Sequence, residues 1–302
     1  MTGLIDALSQ AQLDNNSRRI FHGRGGLFAA QEHLCLDWYE PVLLLTSFNV
    51  LSVDEQTTLF DSIKQVWQQK HHCAELNLVF QYRAAGQTHT EVICGEIPDP
   101  HIISENNAKF EIHLLRGQNH GLFLDMANGR RWVKQHSRDK NVLNLFSYTC
   151  AFSVMALQGG ACQVVNMDMS KGALAIGKRN HLLNDFTTGA RFFGHDIFKS
   201  WGKLTKLGGY DLIVVDPPSN QKGSFVATKD YQRLLKRIPQ LLNPKGEVLL
   251  CLNAPELGCD FLKKQVIDTA PNLSFIERLA NPAVYQDVNE QKSLKVLRYQ
   301  LN

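Results

Sequence analysis

Three acidic positions and one proline pair carry the chemistry open to this sequence. Asp216-Pro217-Pro218-Ser219 closes an uninterrupted Leu212-Ile213-Val214-Val215 run. Proline locks its own φ and restrains the residue before it, so this step is a rigid shelf. Such a shelf can aim carbonyls and a carboxylate at an amine donor, whereas a plain strand-ending turn needs no acid. Asp216, Pro217, Pro218 and Ser219 are therefore the candidate catalytic residues. Two more acids stand at the ends of expected strands: Asp168, followed by Met169 and Ser170, and Asp196, followed by Ile197. Ser147-Tyr148-Thr149 follows a further run that contains Asn144 and ends at Phe146.

These positions match what an adenosyl ligand with an amino-acid tail requires. Close backbone approach at a first strand end, an acid for ribose hydroxyls and polar recognition of adenine fall at successive strand ends of a doubly wound sheet. S-Adenosylmethionine (SAM) is a ligand with these parts, and the sequence supplies a candidate for each. No glycine lies between Asn144 and Gly159, so the G-x-G-x-x-G fingerprint is absent and a nicotinamide dinucleotide is disfavoured. Ser147 and Thr149 must then satisfy the loop partly through their hydroxyls. A plainer alternative is that they only cap the following helix.

The elements that must position these residues follow from hydrophobic periodicity. Strands are expected at residues 141–146, 163–168, 191–196, 211–216, 247–252 and 274–279, with a last, alternating strand within 293–301. Helices are expected from 152, over 170–184 with Ser170 as cap, over 228–242 and from about 256; Asn243-Pro244-Lys245-Gly246 stops the third. The fold class is α/β: a Rossmann-like, seven-stranded sheet whose last strand returns antiparallel, as in class I methyltransferases. Residues 1–115 read as a small α+β domain, with strands at 42–46 and 76–82, a helix at 53–69 and a hairpin over 81–93. Residues 116–302 form the second domain.

The 302-residue chain is 44% hydrophobic and 20% charged, an ordinary globular composition. No stretch of about 18 apolar residues could span a bilayer, and the N-terminus lacks the pattern of a signal peptide, so a cytoplasmic protein without membrane contact is expected. Seven cysteines without a C-x-x-C pair suggest reduced, mostly buried thiols. His71-His72-Cys73 lacks a second ligand cluster, so no metal is expected. The net charge of +3 hides an asymmetry: residues 1–115 carry 7 Lys and Arg against 14 Asp and Glu, the remainder 25 against 15. A basic second half suits a polyanion, and an unfocused basic surface fits the charge equally well. Nothing in the sequence fixes an oligomeric state.

Gly121-Leu122-Phe123-Leu124-Asp125, Val142-Leu143-Asn144-Leu145-Phe146-Ser147-Tyr148-Thr149, Asp168-Met169-Ser170 and Asp216-Pro217-Pro218-Ser219 occur in order. Together they resemble the bacterial large-subunit ribosomal RNA methyltransferases, the methyltransferase I group and the K half of the fused K/L enzyme above all, over residues 105–302. The resemblance implies SAM as cofactor and RNA, ribosomal in origin, as partner. It implies that Asp125, Arg130, Asn144, Phe146, Ser147, Tyr148, Thr149, Asp168, Met169, Ser170, Asp196, Ile197 and Asp216 bind the cofactor. Asp168 would hold the ribose, Asp196 the adenine amine, and Asp216 would face the methionine amine or the target base.

Three departures qualify it. Asp125-Met126-Ala127-Asn128-Gly129-Arg130 keeps one arginine where relatives carry two. Asn220 replaces an aromatic residue that could stack on a flipped base, leaving Phe225 as the nearest substitute. Asn253 stands where the methyltransferase I group carries the cysteine that attacks cytosine C6. Cys251 lies two residues earlier, on the same strand face by alternation. The expected activity is methylation of a guanine or adenine nitrogen in ribosomal RNA. The alternatives are cytosine C5 methylation through Cys251, a small-molecule or protein substrate, and a non-catalytic RNA-binding module. Two basic clusters complete the reading. Arg18-Arg19-Ile20-Phe21-His22-Gly23-Arg24-Gly25-Gly26 could touch RNA phosphate, clamp the acidic domain from within or form a turn; Arg130-Arg131-Trp132 could rim a base entry or lie in the core.

Overall fold

The structure is a computed structural model that describes residues 2–71, 75–84, 86–218, 220–221 and 225–302. The chain forms two compact units, one of Met1–Asp125 with Pro282–Asn289, the other of Met126–Asn281 with Glu290–Asn302. The division falls ten residues beyond the expected 115, and an eight-residue segment returns to the first unit from late in the chain. Periodicity could not show that return, because it depends on packing at long sequence separation.

The first unit opens with α1 (Thr2–Gln10) and a five-stranded sheet. Its strands, in spatial order, are β1 (Arg18–His22), β2 (Leu34–Tyr39), β3 (Val42–Ser47), β4 (Asn77–Ala84) and β5 (Gln87–Cys94). Only β3 and β4 pair in parallel, and α2 (Val53–His71) makes the crossover that such a pair needs. Leu59, Ile63 and Trp67 recur every four residues on α2 and pack with Leu4 and Leu8 of α1 against the sheet. A separate hairpin, β6 (His101–Glu105) with β7 (Ala108–Ile112), follows. Strands β1 and β2 escaped the sequence reading. All six residues of β2 are buried, including Asp37, so no polar-apolar alternation marks it.

The second unit begins with α3 (Ala127–His136), β8 (Asn141–Leu145), α4 (Ala151–Gln158), β9 (Gln163–Asp168), α5 (Lys171–Leu183) and β10 (Ala190–Gly194). It continues through α6 (Trp201–Leu207), β11 (Tyr210–Val215), the two-residue strands β12 (Asn220–Gln221) and β13 (Phe225–Val226), α7 (Ala227–Leu235) and α8 (Ile238–Leu241). β14 (Leu242–Leu252), α9 (Cys259–Thr269), β15 (Leu273–Leu279) and β16 (Lys295–Leu301) complete it. The main sheet runs β10-β9-β8-β11-β14-β16-β15. Strand β16 is antiparallel to both neighbours while the first five strands are mutually parallel. This is the expected seven-stranded Rossmann-like sheet with its antiparallel last strand.

Both sheet faces are covered, which is why β11 from Leu212 and the second half of β14 read as unbroken apolar runs and β8 and β9 are interrupted only by the buried Asn144 and Asn166. Leu143, Leu145, Ile213, Val215, Val248 and Leu250 point to the face that carries α6 to α9. Val142, Leu212, Val214, Leu249 and Cys251 point to the face with Trp132 and Val133 of α3 and Phe152 and Ala156 of α4. The helix expected over 228–242 is two helices. Pro239 sits in the first turn of α8, and its missing N–H and ring clash prevent a continuous helix from α7.

Candidate functional site

The strand register decides which predicted residues meet. Phe193, Met167, Leu145, Val215 and Leu250 form one row across β10, β9, β8, β11 and β14. One step further along each chain lie Gly194, Asp168, Phe146, Asp216 and Cys251. Asp168, Phe146 and Asp216 thus emerge side by side at the carboxyl edge, on both sides of the point where the strand order reverses. A doubly wound sheet opens its ligand crevice there.

The loop after β8 has an uncommon backbone. Phe146, Tyr148 and Cys150 have φ of 57°, 46° and 62°, a left-handed conformation that costs a non-glycine residue of order 1–3 kcal/mol where nothing compensates it. Fixed hydrogen bonds hold it. The Ser147 N–H donates to the Met167 carbonyl at 3.2 Å and the Cys150 N–H to the Ser147 carbonyl at 2.7 Å. The Tyr148 N–H donates to Asp168 Oδ2 at 2.8 Å, and Asn180 Nδ2 donates to the Thr149 carbonyl at 3.0 Å. The loop is therefore held largely by carboxylate and amide groups from β9 and α5. The Ser147 Oγ is buried beneath the loop, beside the Cys150 thiol. Because these N–H groups are spent inside the protein, the loop is not an anion cradle for a pyrophosphate.

Asp168 acts on both sides of the crevice: its Oδ1 accepts the Ser170 N–H at 2.7 Å while its Oδ2 holds Tyr148. Ser170 caps α5 as expected, its Oγ accepting the Ala173 N–H at 3.2 Å. Met169 between them is exposed. Gly177 of α5 allows the helix to reach the loop, since a Cβ there would meet Cys150 Sγ at 2.6 Å. Asn144 lies beneath the loop rather than at its opening. It is buried, and its Nδ2 donates to Asn166 Oδ1 at 3.0 Å. Asn166 Nδ2 donates to Ser153 Oγ at 2.9 Å, which lies 2.8 Å from His181 Nε2. His181 Nδ1 is 2.7 Å from the Gly177 carbonyl. The chain closes if Ser153 donates to a neutral His181 protonated on Nδ1, and burial lowers the His181 pKa accordingly. It ties β8, β9, α4 and α5 together under the crevice.

Asp196 lies two residues past the end of β10, where its Oδ1 accepts the Phe198 N–H at 2.9 Å and caps a short turn over Ile197–Lys199. Ile197 is buried. Asp196 and Met169 line a cavity of about 290 Å³ together with Phe198, Lys199, Phe225, Val226, Asp230 and Arg233. Four apolar side chains and two carboxylates line it; Asp230 is engaged by Arg233 and the Val226 N–H, which leaves Asp196 to receive an amine, so the residues present fit the adenine of SAM, a flat heteroaromatic ring bearing one. Sequence reading missed the far wall. Asp230 Oδ2 accepts the Val226 N–H at 2.8 Å, its Oδ1 binds Arg233 at 2.7 Å, and the Arg233 guanidinium stacks 3.8 Å from the Phe198 ring centre. The Asp230-x-x-Arg233 spacing of facing helical neighbours was the available signal.

Phe225 does not serve as a stacking substitute for a flipped base. It is 1% exposed and packed among Phe146, Phe198 and Tyr231. Trp132 likewise belongs to the core, stacked on His136 with ring centres 4.1 Å apart, not to an entry rim. Arg130 is buried within α3, and Asp125 belongs to the first unit. Asp216 and Pro218 are half-buried and Pro217 is buried. Ser219 lies outside the described residues, as do His72 and Cys73 of the His-His-Cys run. Among the described residues, no group of three or more His, Cys, Asp or Glu is placed to hold a metal. No described helix is long and apolar enough to cross a membrane.

At the end of β14, Cys251 is fully buried in the α3-α4 layer, and its carbonyl accepts a hydrogen bond from the Tyr231 hydroxyl. Asn253 is exposed. The turn that carries it is pinned by Lys295, a buried lysine whose Nζ donates to the Ala254 carbonyl at 2.7 Å and the Gln291 carbonyl at 3.0 Å. Burial also pushes the Cys150 thiol up to about 12.

The family described as S-adenosylmethionine-dependent methyltransferase matches residues 18–300. Ribosomal RNA large subunit methyltransferase I of Tolumonas auensis is 37% identical over 188 residues, 60% of this chain and 47% of that protein. The protein of that name from Vibrio cholerae is 28% identical over 298 residues, 92% of this chain and 75% of the relative. The chain spans about half the length of the Tolumonas relative. Among solved structures, SMU.776, described as a candidate methyltransferase and crystallised with SAH, superposes with a TM-score of 0.84 at 25% identity. That match covers 99% of this chain and 81% of the other.

Proposed function

Because the chain belongs to the S-adenosylmethionine-dependent methyltransferase family, we propose that it methylates a base nitrogen, guanine or adenine, of ribosomal RNA in the cytoplasm. The RNA class rests on similarity to relatives named for large-subunit ribosomal RNA and on the basic second unit. That unit carries 24 Lys and Arg against 13 Asp and Glu, net +11, beside a first unit at 8 against 16, net −8. One observation carries the choice of atom. Cytosine C5 chemistry needs a thiolate at C6, but Cys251 is sealed in an apolar layer and the exposed residue beside it is Asn253.

SAM, when bound, supplies an electrophilic methyl group on sulfur. The chain's own residues would do the rest. Met169, Phe198 and Val226 would enclose the adenine, Asp196 would accept from its amine, and Asp168 would accept from the ribose hydroxyls while holding both loops. Asp216, on its rigid Pro217-Pro218 shelf, would accept an N–H of the target nitrogen and turn the lone pair toward the methyl carbon; as the nitrogen–carbon bond forms the sulfur–carbon bond breaks to leave a neutral thioether, and the nitrogen's proton passes to Asp216. Correct placement of a nitrogen nucleophile supplies most of the acceleration such a step needs.

Transfer of labelled methyl from SAM to total RNA, followed by nucleoside analysis, tests the reading. An N-methylated purine is expected from the wild type and equally from Cys251→Ala. Loss of transfer in a folded Cys251→Ala protein, with 5-methylcytosine as the wild-type product, would overturn the choice of atom. No transfer to RNA by SAM-bound protein would overturn the substrate.

A further inference from the structure

The Gly23-Arg24-Gly25-Gly26 turn is a rigid mount with an exposed arginine on it, and the three arginines of its segment have separate fates. Arg18 pairs on the surface with Asp14 at 3.1 Å. Arg19 forms a bidentate pair with buried Asp37, at 2.8 and 2.9 Å, and also contacts His22 at 2.9 Å and lies over the Tyr285 ring. Arg19 is thus the intramolecular clamp that the acidic first unit needs. Arg24 is exposed and has no ion-pair partner among the described residues; its guanidinium lies 4.2 Å from the Phe48 ring centre.

The backbone on both sides of Arg24 is fixed. A Cβ at Gly23 would fall 1.8 Å from the Gln31 carbonyl oxygen, and one at Gly25 would fall 2.0 Å from that of Gln286. Gly26 has φ +77°, and the Val288 N–H donates to the Gly25 carbonyl at 2.9 Å. Packing of this kind reduces the ordering cost of binding. We infer that this turn presents Arg24 as a phosphate contact for a single-stranded segment of the RNA substrate, an inference that rests on the RNA reading above.

The surroundings favour an anion. Arg83 stands 5.9 Å from the same Phe48 ring, so two guanidinium groups share one aromatic side chain within a unit of net charge −8 that leaves Arg24 without a carboxylate. The one acid of the return segment, Asp287, accepts the Asn289 N–H at 2.7 Å. Burial, then Arg19 and Arg24, lowers His22 to about 4, and burial with Arg83 does the same to His120; both histidines are neutral and add no charge near neutral pH. Exposed Leu27 and Val288 beside the turn give an unstacked base an apolar rest.

The test is fluorescence anisotropy of a labelled single-stranded RNA oligonucleotide across a salt series, with the full chain and saturating SAM. Losing one phosphate contact from a single strand should make the slope of log affinity against log salt shallower by about 0.7. Arg24→Ala is expected to show that change and weaker binding at low salt, with SAM affinity by calorimetry unchanged. Arg24→Lys should retain the slope, as should Arg18→Ala, which removes an already paired cation. An unchanged slope in Arg24→Ala while labelled methyl still reaches RNA would overturn this contact and leave the methyltransferase reading standing. Equal losses in Arg18→Ala and Arg24→Ala would also overturn it, as an effect of net charge. If SAM-bound wild type shows no salt-dependent RNA binding, both readings fall.

Discussion

Asp168, the candidate ribose acid, has a structural task that the sequence did not present. Its place at the end of β9 made it the candidate ribose acid, and the structure adds that each carboxylate oxygen holds a backbone N–H of a different loop. Hydrogen bonds to a charged group contribute about 1.5–3 kcal/mol each. Asp168→Ala is therefore expected to weaken SAM binding by at least about tenfold, measured by calorimetry on protein whose circular dichroism matches the wild type. Wild-type affinity would remove Asp168 from the site. Gly177 is the residue-scale counterpart on α5. A methyl group there would press on Cys150 and the Thr149 backbone, and overpacking of this kind costs about 1–3 kcal/mol. Urea denaturation of Gly177→Ala should show that loss, together with weaker SAM binding, because the strained Phe146-to-Cys150 backbone shifts.

At the scale of elements, strands β1 and β2 depend on a buried charge pair. Asp37 has a side chain only 4% exposed, and Arg19 is its partner. Removing one member strands the other, which typically costs about 3–5 kcal/mol, so Asp37→Ala should unfold the first unit at markedly lower denaturant. Tryptophan fluorescence can follow it, because Trp38 and Trp67 lie in that unit's core. The same region sets a pH dependence. His22 and His120 are held to about 4 in the folded state, chiefly by burial, against an ordinary 6.5. Between those values the unfolded chain binds more protons than the folded one, so stability falls as pH drops from about 6.5 toward about 4. Denaturation midpoints should follow that window, and the dependence should shrink in His22→Gln or His120→Gln, provided either variant folds. An identical pH profile in both variants would refute the assignment.

For the whole molecule, charge is divided by unit: +11 in the unit with the SAM site and −8 in the other. Polyanion binding through the basic unit releases condensed counterions, whereas a small cofactor of net charge about +1 carries no condensed counterions to release. RNA affinity is expected to fall steeply between low and physiological salt while SAM affinity stays nearly flat. Parallel titrations by anisotropy and calorimetry check this. A flat RNA response would favour a small-molecule or protein substrate.

Most of the second unit's elements were legible because each central strand is buried on both faces and most helices on one, which leaves apolar runs and helical periods in the sequence; α4, buried from Phe152 to Ala156, lacks that period. Asp216 stood out as a candidate for the same reason, as the first polar residue after an apolar run, and Asp168 as the acid that ends a strand broken only by Asn166. What the tertiary structure decided involves partners distant in the chain. Asn144 and Asn166 meet across β8 and β9, Lys295 reaches back to Ala254, Pro282–Asn289 joins the first unit, and Arg18, Arg19 and Arg24 receive three different environments. Cys251 and Asn253 share a strand parity, so local pattern could not separate them; only the packing of α3 and α4 over β14 buried one, and the turn held by Lys295 exposed the other. Local sequence specifies the periodicity of an element. The burial, pairing and orientation of a given side chain depend on what the rest of the chain packs against it.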